Sequence, residues 1–390
     1  VPDQKSRDPR ARVQAAHLEA KARPGVLSRH RAWLMVGAGF SLLAGLDGAL
    51  ILLGVWSPVL TARLSQWHGP FMTLGFIGTV ICLERAVALD RTWGYLAPLA
   101  SGIGSILLAS PAPVQIGLAL LLAAQIGMLA IYIPLWRRSE DDATVIQAAG
   151  SACAVGAAGL LLAGVEVRSV IGWLSCYLVL TILGERLELS RLTMTRNRFL
   201  PAAALCLLAA LVIQTASPKV GWPLLGVVLV VMSVWLIDKD VARVGMRRGG
   251  QAAYIGGMLM AGYVWLAIAG VVWIFSGPLG TGTGYDAAVH AVFLGFVMGM
   301  ILGHAPIILP AVLRIRLDWS NWFWVPAVLL EASLVVRLGI GDGLGLPLAV
   351  QIGGTINVIA LLSLIAVVVT HAHSRDGAHS AHPHDRRSRA

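Results

Sequence analysis

Apolar runs of roughly 17 to 25 residues, the length a helix needs to cross the hydrocarbon core, repeat along nearly the whole chain and are parted by short polar or Gly/Pro-rich segments. The pattern predicts twelve spans, near 33–56, 69–89, 94–110, 114–136, 144–165, 169–187, 199–216, 221–237, 252–276, 285–309, 322–339 and 346–370. Within each run the apolar positions are continuous rather than alternating, which excludes a transmembrane β-barrel. The expected fold is therefore all-α, a polytopic membrane bundle of about twelve helices occupying 32–370.

Charge supplies an independent check on the count. Twelve spans place both ends of the chain on one side, and alternate connections should then differ in Lys and Arg. Of the 30 basic residues, 26 fall in the two tails and the connections on their side. The other side receives only Arg63, Arg168, Lys219 and Arg337. Adding or dropping one span in the middle would destroy this split. The rule makes the basic side cytoplasmic, so the chain reads as an inner-membrane protein with cytoplasmic N- and C-termini. The net charge of +10 then reports orientation and not nucleic-acid binding.

Composition fits. The 390 residues are 57% hydrophobic and 13% charged, about half the charged fraction of soluble domains. The 43 glycines suit close packing of helices in lipid. Cys82, Cys153, Cys176 and Cys206 form no CxxC pair and read as small buried hydrophobes. Residues 1–31 read as a basic cytoplasmic tail with no secretory leader. Residues 371–390 form a low-complexity cytoplasmic tail with five histidines, either a solvated segment or a metal-binding tract.

Three histidines lie outside the tails: His68, His290 and His304. Spans 2 and 10 both begin at the charge-poor side, so His68 and His290 share a depth there. His304 is 14 residues beyond His290, about 21 Å deeper at helical rise. Ionisable groups inside a membrane carry a functional expectation. Two imidazoles at one depth on different helices suit the axial positions of a haem iron. At helical spacing His68, Met72, Gly75, Thr79 and Cys82 form one stripe of span 2, and His290, Leu294, Val297 and Ile301 one stripe of span 10. Gly295, Gly299 and Gly303 make a small-xxx-small row for helix packing.

WHGPFMTLGF, residues 67–76, resembles helix II of the haem–copper oxidase catalytic subunit. There a His-Gly-x-x-Met pattern supplies one axial ligand of the low-spin haem, and helix X supplies the other. HAVFLGFVMGMILGHAPIILPAVLRI, from His290, resembles the NnrS family, as does ILGERLELSRLTMTRNR after span 6 more weakly. NnrS proteins are 12-span haem- and copper-containing membrane proteins linked to nitric oxide and nitrosative stress. The resemblance implies an oxidase-like arrangement and one bis-His haem b between His68 and His290. Such an iron transfers electrons or senses, with an electron donor or acceptor protein as partner. Binding nitric oxide directly would require one imidazole to leave. The oxidase histidines for copper and the active-site haem are missing from spans 6, 7 and 10, so copper in the bundle is not supported and oxygen reduction is not expected.

Other polar residues stay open between two roles. Arg337, at the outer end of span 11, is either a propionate partner, as oxidases place arginines near helices XI and XII, or an ordinary outer cation; Arg63 is the second candidate. Trp67 reads as an interfacial anchor. Asp47 and Glu331 mark a proton or polar path, or are neutral carboxyls bonded to a neighbouring helix. Glu331 and Arg337 are six residues apart, poorly placed to pair on one helix. Glu84/Arg85, Glu185/Arg186 and Glu188/Arg191 are expected to pair at inner helix ends. The rival functional class is a secondary transporter of a small solute coupled through Asp47 and Glu331. Such a protein should show similarity between its halves, and 33–187 does not repeat convincingly in 199–370. A structural subunit without cofactor is a third class.

Overall fold

The computed structural model describes residues 27–190, 197–278, 280–313 and 315–373. The spans read from hydropathy become twelve helices long and apolar enough to cross a membrane. They are α1 (Trp33–Leu52), α2 (His68–Leu89), α3 (Thr92–Ala109), α4 (Val114–Ser139), α5 (Asp142–Leu162) and α6 (Val167–Ser190). Then follow α7 (Phe199–Ala216), α8 (Pro218–Lys239), α9 (Gly250–Ser276), α10 (Thr283–Leu313), α11 (Asn321–Asp342) and α12 (Pro347–His371). The protein is thus an all-α polytopic membrane bundle. Among the described residues the sole extended pairing joins Arg316–Leu317 to Ala372–His373.

The boundaries move for local reasons. The helix carrying α1 starts at Leu27 and stops at Leu52, short of the expected 56, because the chain turns at Gly54 with φ +67°. That left-handed conformation is readily available only to glycine. The span of α10 is 31 residues long, about 46 Å at helical rise, and runs past the expected 309 through Pro306 and Pro310. Residues 1–26 and 374–390 of the two expected tails, and the Glu188/Arg191 pair, lie outside the described residues. Of the tail histidines, His371 closes α12, its Nδ1 2.9 Å from the Val367 carbonyl.

Consecutive helices pack antiparallel, and α12 returns against α1. Small residues set the closest approaches: a Cβ on Gly226 of α8 would sit 2.4 Å from the Gly270 carbonyl of α9. Side-chain hydrogen bonds tie α12 to its neighbours at both ends of the chain. Gln351 of α12 donates to the Leu53 carbonyl at 3.0 Å, and Asn357 donates to Ser333 of α11 at 2.6 Å. Lipid gives helices no hydrophobic reason to associate, so such close packing and polar contacts hold the bundle.

Every fourth helix lies at the centre. The apolar stretches of α2, α6 and α10 are 61, 72 and 61% buried, against 39–50% for the other nine. The two helices that carry His68 and His290 are therefore interior elements, with α6 beside them.

Candidate cofactor-binding site

His68 opens α2 behind Trp67 and a short helix, Ala62–Gln66. Its Nδ1 lies 2.7 Å from the Gly45 carbonyl of α1. A carbonyl only accepts, so Nδ1 carries the proton and the neutral ring presents Nε2 as an acceptor. The helices approach closely enough for this because Gly45 has no side chain; a Cβ there would meet Met72 Sδ at 2.6 Å.

His290 is held in the same way from within its own helix. Its Nδ1 lies 2.9 Å from the Asp286 carbonyl and 3.0 Å from Asp286 Oδ1, one turn earlier. Asp286 is fixed in turn by Arg337 of α11, whose Nε and Nη2 donate to the two carboxylate oxygens at 2.9 and 2.8 Å. Bidentate pairing fixes both distance and plane. The Nε2 atoms of His68 and His290 have no hydrogen-bond partner among the described residues.

Both rings, Asp286 and Arg337 line one cavity of about 990 Å³ at the charge-poor end. This is the upper range for a small-molecule or cofactor site. Met72, Phe293, Leu294, Met298 and Leu361 give apolar walls; Arg168, Tyr285 and Asn357 add polar ones. Arg168 is bound to Glu166 at 2.8 Å. The sequence pairs His68 with His290 at one depth and offers Arg337 as a polar partner beside them; all three line this cavity.

The helices change pitch at this cavity. Phe71–Ile77, Ala291–Met298 and Val335–Asp342 are π-helical, the only such segments among the described residues. One follows His68, one follows His290, and one contains Arg337. A π-turn spends an extra residue per turn and is common at functional sites. This overturns both expected stripes, which assumed α-helical spacing. Below His290 the lining residues are Phe293, Leu294 and Met298, and Val297 is not among them. Below His68 they include Met72 and Thr73. Gly75 turns instead toward Ser41 and Ser105, and Thr79 donates to Ser101 at 2.7 Å.

The remaining candidates lie elsewhere. Arg63 donates to the Ser110 carbonyl and, at 2.7 Å, to the Ala112 carbonyl, and does not line the cavity. Asp47 accepts from Ser57 Oγ at 2.7 Å; Glu331 accepts from Trp265 Nε1 at 2.7 Å; neither lines the cavity. Glu331 and Arg337 thus have different partners. The Glu84–Arg85 pair forms. Arg186 turns to His304, its Nη2 3.1 Å from His304 Nε2, where pairing with Glu185 was expected. A guanidinium only donates, so His304 Nε2 accepts while Nδ1 faces the Met300 carbonyl at 2.8 Å. The glycine row packs on α9: a Cβ on Gly295 would lie 2.3 Å from Trp265 Cγ, and one on Gly303 3.0 Å from Met258 Cβ.

Asp286 was not anticipated, although its spacing to His290 is one helical turn. Among the described residues, no three His, Cys, Asp or Glu side chains gather to hold a metal ion. No curated protein and no solved structure matches the chain. A family model matches residues 31–373, which include all twelve helices. The chain belongs to the family described as Domain of unknown function (DUF8744).

Proposed function

We propose that the cavity binds one haem b with His68 and His290 as axial ligands, in an NnrS-like membrane protein of nitric oxide tolerance or membrane redox chemistry. The observation that carries this reading is the state of the two imidazoles. Each has Nδ1 occupied by a fixed acceptor and Nε2 unpartnered among the described residues. Metal-bound histidines characteristically give their second ring N–H to a carbonyl or carboxylate. A porphyrin supplies four positions on iron, so two imidazoles complete its shell; a bare zinc ion takes three or four protein ligands.

The fit extends to the surroundings. The walls combine apolar side chains with a few directed polar groups, as cofactor sites do. Arg337 acts first on Asp286 and through it on His290; its Nη1 makes no hydrogen bond among the described residues and suits a propionate. Arg168 is the other cation of the cavity wall. Arg63, bound to backbone carbonyls, has no place in this arrangement. When bound, the haem supplies reversible one-electron chemistry. The chain's part is to fix both ring tautomers, orient the rings and exclude water.

With the basic end cytoplasmic, as the positive-inside rule gives, the cavity opens on the outer side of the inner membrane, where an electron donor or acceptor protein would meet it. The transporter reading rests on Asp47 and Glu331, and both are engaged away from the cavity. Pyridine haemochrome assay of the purified protein tests the proposal. About one haem b per chain is expected, with loss in His68→Ala and in His290→Ala. Preparations that take up no haem under reconstitution would reject it.

A further inference from the structure

At the basic end, the connection from α8 to α9 is a docked element and not an open loop. A short helix, Ala242–Gly245, continues into a 3₁₀ turn at Met246–Arg248. Asp240 starts it and ties it to α9. One of its carboxylate oxygens accepts from the Ala242 N–H at 2.7 Å, and the other accepts from the Tyr263 hydroxyl of α9 at 2.9 Å. The connection then seats on α9 because Gly256 has no side chain. A Cβ there would lie 2.5 Å from the Ala242 carbonyl oxygen and 2.8 Å from the Met246 nitrogen. The backbone under Arg243 and Arg247 is thereby fixed.

Asp238, Arg243 and Arg247 edge a groove of about 560 Å³ whose apolar walls include Val234 and Ile237 of α8 and Met260 of α9. Arg243 Nη1 donates to Asp238 Oδ1 at 3.0 Å, and Lys239 Nζ lies 2.8 Å from Asp238 Oδ2. Arg247 makes no hydrogen bond or ion pair among the described residues. Two guanidiniums thus face one carboxylate that is already shared, and the groove keeps a surplus of positive charge. Away from the basic end the surface turns apolar. Val227, Val231 and Val234 are exposed and lie at helical spacing on one stripe of α8 that leads to Asp238. From Val227 to Asp238 the stripe is about 16 Å long at helical rise.

We propose that this groove is a binding site for one anionic phospholipid, with its phosphodiester on Arg243 and Arg247 and an acyl chain along Val227, Val231 and Val234. Guanidiniums match phosphate oxygens in geometry as well as charge, and basic pockets between spans are where anionic headgroups bind. A soluble phosphate would leave the apolar wall and the stripe uncovered. A zwitterionic headgroup would bring its own cation against Arg243, Arg247 and Lys239. The groove lies at the opposite end of the bundle from the cavity that holds His68 and His290, so failure of the haem reading leaves it standing.

Native mass spectrometry of the full chain, delipidated in a non-ionic detergent, tests it by titration with phosphatidylglycerol and with phosphatidylcholine of the same chains. The first phosphatidylglycerol is expected to bind about tenfold more tightly than the first phosphatidylcholine, as two cations near the surface would give. That preference should vanish in the double variant R243Q/R247Q. It should persist in Arg248→Gln, whose side chain is next in sequence but does not line the groove. Asp238→Asn should strengthen it, because the carboxylate competes with phosphate for Arg243. Each variant is compared with itself on the two lipids, so a loss of stability common to both does not mimic the result. Equal affinity for the two lipids overturns the proposal, as does a preference that survives R243Q/R247Q, is lost in Arg248→Gln or weakens in Asp238→Asn. Displacement of the bound lipid by glycerol phosphate, which has the headgroup without the chains, also overturns it.

Discussion

At the scale of single residues, the site is a question of where ring protons sit. His68 and His290 are each forced to the same tautomer, one by a backbone carbonyl and the other by Asp286. The difference predicts different sensitivities. Asp286→Asn should weaken haem binding about 10- to 100-fold, the usual cost of losing an outer partner of a ligating His. The same change strips Arg337 of its carboxylate. Breaking a buried pair costs about 3–5 kcal/mol, and the partial exposure of Asp286, 27%, puts the expected loss nearer 2 kcal/mol. Haem titration and thermal unfolding of Asp286→Asn read the two effects apart. His304→Ala should leave any haem spectrum intact, because His304 faces Arg186 and not the cavity, while lowering stability by about 1–3 kcal/mol through the abandoned guanidinium. His68, His290 and Arg337 were legible in the sequence because an ionisable residue in an apolar run stands out. Asp286 was not, since an acid at a helix mouth looks like any solvated end until its partner on α11 is known.

Among elements, helix existence follows from hydropathy, but pitch does not. Hydropathy places all twelve helices, because a run long enough to span lipid must satisfy its backbone internally. The three π-helical segments add a residue per turn with no mark in composition, so the stripes drawn from 3.6-residue spacing misplace Val297 and Gly75. Packing positions also depend on the neighbour. Gly295 has Trp265 against it, so Gly295→Ala should destabilise by about 1–3 kcal/mol, as overpacking does. It should also disturb His290, one turn away. Gly39 in α1 has nothing within 4 Å of a Cβ, and Gly39→Ala should be neutral or stabilising by up to about 1 kcal/mol. Thermal melts of the two variants in one detergent make the comparison.

For the whole molecule, the charge count and the burial of α2, α6 and α10 describe one object: a bundle with a basic end, a charge-poor end and a cavity at the latter. The charge count was readable from the chain, whereas the central placement of every fourth helix depends on contacts between distant segments. Single cysteines placed at the two ends of α8, on a cysteine-free background, should label from opposite sides of intact vesicles, Lys219→Cys from outside and Lys239→Cys from inside. Labelling of both from one side would contradict the twelve-span orientation. The central claim, that His68 and His290 together hold a haem, meets its most direct test in the visible absorption spectrum of the reduced full-length protein. The account predicts sharp, separate α and β bands of a six-coordinate low-spin haem b, lost in either His→Ala variant. A colourless protein that stays colourless after haem reconstitution, or a low-spin spectrum unchanged in both variants, would contradict it.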